Sequence, residues 1–250
     1  MKKTIVLIFI FSTLTIYCHA LNFDENWWYD FEGKIGETEI QLSIYIPVSG
    51  DVIKGNYCYK KYETKILLVG QLKGDQIELT EFLNGKPNGH FRGKLFTDKL
   101  DRFEGTWTDI SGTKRMEFRM TLKSTCYASS WEHRYSDFSG TDDDVENFMK
   151  KVKISINKGD KEWIANHIIY PITTTLYGQK SVEIKNRKQL IDNFDQIFYR
   201  GFKEKLKSLC TFNMFNNYQG TMIGDGSIWI YEDPNSKNEK HAFQIIAINN

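Results

Sequence analysis

The sequence predicts two domains, an all-β antiparallel eight-stranded barrel followed by an α+β domain. Three observations carry that prediction. Short alternating apolar runs recur from Trp28 to Lys123, broken at roughly eight- to twelve-residue intervals by turn residues. Helical spacing begins only after Thr141, and strand patterns return toward the C-terminus. Between the halves, residues 124–140 are rich in Ser, Thr, Tyr and Asp and show no period. The expected organisation is therefore a leader at 1–20, a barrel at 21–123, a linker at 124–140 and an α+β domain at 141–250.

The leader has the anatomy of a signal peptide. Lys2 and Lys3 precede an apolar stretch from Ile5 to Phe11 with Leu14 and Ile16, and Cys18-His19-Ala20 offers small residues at the cleavage positions. The stretch is interrupted by Ser12, Thr13 and Thr15 and is shorter than the roughly 20 residues that span a bilayer. An exported protein, periplasmic or secreted, is expected. Lipid anchoring through Cys18 is the alternative, on a lipobox that bulky Tyr17 fits poorly. No later run is long enough to cross a membrane, so no span is expected in the mature chain. Losing Lys2 and Lys3 moves the formal charge from +1 to −1, which gives no electrostatic footprint for nucleic acid or anionic lipid.

The strands can be justified one by one. Tyr29 to Ile35 opens the series, and Ile40, Leu42, Ile44 and Ile46 alternate before a turn over Pro47 to Asp51. Val52 to Tyr59, Ile66 to Leu72 and Ile77 to Phe82 follow, separated by Lys73-Gly74-Asp75 and ended by Asn84-Gly85. His90 to Phe96, Phe103 to Thr108 and Met116 to Leu122 complete eight, enough to close a barrel without exposed edges. Gly-x-aromatic recurs at Gly55-Asn56-Tyr57, Gly89-His90-Phe91 and Gly105-Thr106-Trp107, with the glycines expected to bend strands and the aromatics to fill the interior. On these repeats and the strand count this half resembles the lipocalin-like, or calycin, barrels. The Gly-x-Trp signature of that class is not present in order, since Trp27 and Trp28 precede Gly33. The resemblance implies a ligand site in the barrel mouth.

In the second half, Thr141 followed by Asp142, Asp143 and Asp144 predicts a capped helix start, and Val145, Phe148, Met149, Val152 and Ile156 continue it to Gly159. Asp160 caps a shorter helix with Trp163, Ile164 and Ile168, and Tyr170-Pro171 leads into a strand through Thr175. Ser181 to Ile184 is a short strand. Asn186 caps a helix with Leu190, Ile191, Phe194 and Ile197, and Gly201 separates it from another ending at Leu209. Gln219 to Ile223, Ser227 to Tyr231 and Phe243 to Ile248 are strands, the first two joined at Gly224-Asp225-Gly226. The helix to Gly159-Asp160, the Ile169-Tyr170-Pro171 exit and the closing segments from Gly220 and to Asn250 resemble the nuclear-transport-factor-2-like, or SnoaL-like, cone. Taken together they look like uncharacterised secreted bacterial two-domain proteins, a likeness that implies a fold without a reaction.

Chemistry-bearing motifs are sparse. The chain has no G-x-S-x-G elbow, H-E-x-x-H helix or Walker loop. Ser111 to Lys114 and Ser155 to Lys158 match S-x-x-K but sit in a turn and at a helix end. His90, His133, His167 and His241 lack ligand spacing, and Asp142 to Asp144 lack the rest of a calcium loop, so neither metal nor cofactor is expected. Asp225 reads as a turn residue. Three cysteines remain after the leader; one pair plus a free thiol is the simplest arrangement, and Cys58 with Cys126 is the expected disulfide, although spacing alone does not fix the connectivity.

The expected function is a non-catalytic binding or interaction protein of the bacterial envelope, an inhibitor or immunity protein being one version. Its partner, a protein or a small molecule, is not identified by the sequence. Trp163, His167, Tyr170 and Tyr177 are the candidate lining of the cone pocket, and adjacent Trp27 and Trp28 are candidate contacts for a sugar or a partner. One alternative is an enzyme in which a buried carboxylate, with Asp192 and Asp195 as candidates, meets His167 or Tyr170. The other is a small-ligand carrier using the barrel mouth.

Overall fold

The computed structural model describes residues 24–48, 52–60, 62–96, 101–233 and 243–250. The leader, Cys18, His241 and the tip of the turn after Pro47 lie outside these residues. Eight antiparallel strands form a closed barrel: β1 (Trp27–Ile35), β2 (Thr38–Ile46), β3 (Val52–Tyr59), β4 (Lys65–Lys73), β5 (Gln76–Leu83), β6 (Lys86–Phe96), β7 (Arg102–Asp109) and β8 (Arg115–Tyr127), with β8 returning to β1. Each predicted strand is present. Asn84 and Gly85 both take positive φ, 52° and 74°, which is the two-residue turn that matches strand twist.

Period two puts one face of every strand inside. Phe31, Leu42, Tyr57, Leu68, Leu79, Phe91, Phe103, Trp107 and Phe118 are buried in one cluster, with Phe103 and Phe118 ring centroids 4.7 Å apart. The aromatics of the Gly-x-aromatic steps, Tyr57, Phe91 and Trp107, fill the interior as expected, while the glycines serve close strand approach. A Cβ on Gly105 would lie 2.1 Å from the Arg92 carbonyl oxygen, and one on Gly55 2.5 Å from that of Ser43, so these strands approach too closely for a side chain. Inside the barrel one carboxylate, Glu81, is fully buried. It accepts from Tyr57 Oη at 2.6 Å, from Trp107 Nε1 at 2.9 Å and from Asn88 Nδ2, which satisfies a charge that could not otherwise sit among aromatics.

The C-terminal half holds α1 (Asp142–Lys158), α2 (Lys161–Asn166), β9 (Ile172–Thr175), β10 (Ser181–Ile184), α3 (Arg187–Ile197), α4 (Arg200–Lys207), β11 (Phe215–Asn217), β12 (Gly220–Ile223), β13 (Ile228–Glu232) and β14 (Phe243–Ile248). Strands β11 to β14 make a four-stranded antiparallel sheet, and β9 pairs with β10. Thr141 and Asp144 form the reciprocal capping box that starts α1, and Gly159 ends it in the left-handed conformation. Gly201 falls inside the first turn of α4, and β11 was not evident in the sequence. A separate core of Val145, Met149, Phe194, Phe198, Ile230 and Ile245 lies between these helices and the sheet.

Two expectations change. The segment 124–140, expected as the linker, gives its first four residues to β8, and its Ala128, Arg134, Tyr135 and Phe138 are buried. The disulfide joins Cys58 to Cys210, leaving Cys126 as a buried free thiol. Strand order explains why the expected Cys58–Cys126 pair is replaced. Cys126 on β8 lies beside Trp28 of β1, with β2 still between β1 and β3. Three strand spacings of about 4.8 Å separate the two cysteines, well beyond disulfide reach.

Candidate functional site in a seam cleft

The outward face of β1, β2 and β3 is the unusual part of this barrel. Elsewhere outward positions carry exposed charges such as Glu78, Arg92, Glu117 and Arg119. Here six of them, Trp28, Asp30, Ser43, Tyr45, Asn56 and Cys58, are buried. The register sets Ser124, Asp30, Ser43 and Asn56 side by side across four strands. Residues 128–140, α1 and the loop after α4 cover this row.

Arg134 is the centre of the seam. Its guanidinium is fully buried, pairs with Asp30 at 2.8 Å, and donates from Nε and Nη2 to the carbonyls of Met214 and Asn213. Ser43 and Ser124 hydroxyls donate to the same Asp30 carboxylate, at 2.6 and 2.9 Å. The guanidinium also lies over the Trp28 ring, 4.9 Å from its centroid, and Trp131 stacks on Trp28 at 5.0 Å. Asn213 donates from Nδ2 to Asn56 Oδ1. On α1, Glu146 accepts from Lys65 Nζ at 2.8 Å and from Tyr135 Oη at 3.2 Å. Burial pushes the Glu146 carboxyl above the usual carboxylate range, against the lowering effect of Lys65. Burial and the neighbouring Glu146 push the Tyr135 hydroxyl up as well.

These groups surround a cleft of about 260 Å³ lined by Trp28, Asn56, Lys65, Trp131, Arg134 and Glu146, with Leu67, Glu132, Asp142 and Asn213 completing it. Two donors of lining residues, Trp28 Nε1 and Arg134 Nη1, are buried beneath the surface with no hydrogen-bond partner among the described residues. Unpaired buried donors cost about 1–3 kcal/mol each.

The residues singled out from the sequence lie elsewhere, apart from Trp28. His167 stacks on Trp163 at 4.0 Å, and its Nδ1 lies 2.7 Å from the Trp163 carbonyl oxygen. Tyr170 donates to the Ala165 carbonyl, and burial raises its hydroxyl to about 12. Tyr177 is 67% exposed and leans on Tyr199. Asp192 and Asp195 pair with lysines on the surface. Trp27 packs its edge on Tyr127, whereas Trp28 is buried. Among the described residues the raised, buried carboxylate is therefore Glu146, beside Tyr135. No group of three metal-ligating side chains is present among the described residues, and none of their helices is long and apolar enough to cross a membrane.

Sequence reasoning missed Arg134, Tyr135 and Trp131 because a segment without period looks solvated. Its aromatics were the available signal: Trp131, Tyr135 and Phe138 within eight residues are more than a linker needs. Compared with known proteins, the chain matches no protein-family model and no curated protein.

Proposed function

We propose that this chain is an exported binding protein of the bacterial envelope that takes its ligand in the seam cleft. The observation that carries the proposal is one preformed hollow of about 260 Å³ at the seam, bordered by the buried side chains of Trp28, Asn56, Arg134 and Glu146. In this reading the eight-stranded barrel is of the lipocalin-like class and the helices with their sheet form a nuclear-transport-factor-2-like cone. Neither acts through its own interior. The barrel is packed with the side chains of Phe31, Tyr57, Phe91, Phe103 and Phe118, which weighs against a carrier using the mouth. His167 Nδ1 and Tyr170 Oη are engaged by backbone carbonyls, which weighs against acid–base catalysis in the cone.

The test is native mass spectrometry of the protein purified from the envelope, before and after denaturation, beside a Leu67→Arg variant that crowds the cleft wall. A co-purifying species present in the parent and missing from the variant supports the proposal. A species retained equally by both places the function elsewhere.

A protein-partner version of the function has its own observation. Tyr62, Leu83 and Ile110 are exposed at hairpin loops of one barrel end, an apolar tip suited to an inhibitor. Glutamate substitution at Ile110 would then abolish capture of the partner enzyme and leave the cleft occupant in place.

A further inference from the structure

We infer that the outer face of the helical layer is a docking surface for a membrane that bears anionic lipid headgroups. It is a second surface, independent of the seam cleft. The near-zero total charge, which predicts no footprint for anionic lipid, conceals an uneven distribution. Between Asn147 and Leu209 the sequence holds thirteen lysines and arginines against six carboxylates, a local net charge of +7 within a chain of net charge +1. The rest of the sequence therefore sums to −6.

Polar contacts stitch the four helices that carry this excess into one layer. Lys161 of α2 and Lys203 of α4 both reach Asp195 of α3, at 2.7 and 3.9 Å, and Arg187 of α3 pairs with Glu162 of α2. Lys153 of α1 donates to the Leu209 carbonyl, just after α4, at 2.7 Å. The inner side of the layer is the core that includes Met149, Ile164, Phe194 and Leu206, which leaves the outer side to the charged groups. All six carboxylates are engaged there. Glu162, Glu183, Asp192, Asp195 and Glu204 each lie against a lysine or arginine, and Asp160 caps α2. Lys150, Lys151, Lys158, Lys180, Arg200 and Lys205 are exposed and pair with no carboxylate among the described residues.

Lys150, Ile154 and Lys158 recur at four-residue spacing on α1, opposite the buried Val145, Met149, Val152 and Ile156. The outer stripe of that helix is thus an exposed isoleucine between two free lysines. Beside it the Lys151 ammonium lies 5.5 Å from the ring centroid of half-exposed Trp163. Ammonium groups around a shallow apolar and aromatic patch suit the boundary between headgroups and acyl chains, where each lysine adds attraction and each apolar side chain adds burial. Residue type separates this partner from two other polyanions. Eleven of the thirteen cations are lysine. Lysine is depleted in protein–protein interfaces, and nucleic-acid recognition leans on arginine for paired contacts to phosphates and bases. A field of mobile point charges suits a fluid headgroup layer, which presents no fixed geometry to match.

The experiment sediments the intact protein with vesicles of phosphatidylcholine alone and of phosphatidylcholine with about 30% phosphatidylglycerol, at low salt and at about 0.5 M salt, where charges are screened beyond a few ångströms. The expected result is binding to the anionic vesicles only, abolished at the higher salt, and at least about tenfold weaker when Lys150→Glu, Lys158→Glu and Lys205→Glu are combined. The same reversal at the exposed barrel lysines Lys73, Lys86 and Lys114 should weaken it far less. Should the helix-layer variant fold poorly, glutamine at the same three positions replaces glutamate. Failure to sediment with anionic vesicles, equal binding to neutral ones, or equal loss in the barrel variant overturns the inference. So does tighter binding of a DNA duplex or of polyglutamate at the same low salt, which assigns the face to nucleic acid or to an acidic protein.

Discussion

Arg134 and Asp30 form the one fully buried ion pair of the seam among the described residues, and their energetics follow from that burial. Removing either partner strands a charge in a low-dielectric interface. Arg134→Met and Asp30→Asn are each expected to lose about 3–5 kcal/mol in denaturant unfolding. The double variant should lose clearly less than the sum, because no unpaired charge remains; strict additivity would mean the two side chains do not interact. Glu146 behaves differently, because its carboxyl lies above the ordinary value of 4.5 in the folded chain. A raised native value means that the folded state holds the proton more tightly than the unfolded state. Its contribution to stability is therefore complete below about pH 4.5 and is lost as pH rises through the higher native value. Carbon-13 NMR of the Glu146 side chain should show a midpoint above 4.5, and Glu146→Gln should flatten the pH dependence of stability in that window. A midpoint at or below 4.5 would mean that Lys65 outweighs burial.

Strands and helices were the most legible part of the sequence, since period two and period 3.6 are written into apolar spacing. The Asn84-Gly85 turn and the Thr141 cap came through for the same local reason. The three-residue β11 did not, being too short to show a period. The glycine steps give the sharpest test at this scale. Gly105→Ala forces a Cβ to within 2.1 Å of the Arg92 carbonyl oxygen, so strands β6 and β7 must separate. About 1–3 kcal/mol should be lost in thermal or denaturant unfolding. Alanine at Thr141 should cost less, about 0.5–2 kcal/mol, because only the start of α1 loses its capping bonds. If Gly105→Ala is neutral, the close strand approach is not what the glycine serves.

What joins the halves of the molecule was hardly legible at all. Alternation assigns Asp30, Ser43 and Asn56 to the outside of the barrel and cannot say that another layer covers them. Those outward positions are small or uncharged apart from Asp30, whereas the uncovered strands carry Glu and Arg, and that contrast was the readable trace. Pairing cysteines within one half of the chain also failed, because residues 152 apart meet across the seam. Closing so long a loop restricts the unfolded chain, and removing the bridge with paired Cys58→Ser and Cys210→Ser substitutions should cost about 2–5 kcal/mol. Burial lifts the Cys126 thiol to about 11, so it should resist a thiol reagent until the chain unfolds.

The central claim is that barrel and helices share one latched seam, and that this seam builds the cleft. Peptide mapping of the chain under non-reducing conditions tests it most directly. The account predicts one linked pair of peptides, containing Cys58 and Cys210, with Cys126 recovered as a free thiol. A peptide pair linking Cys126 to either of the others would contradict the seam and the cleft with it.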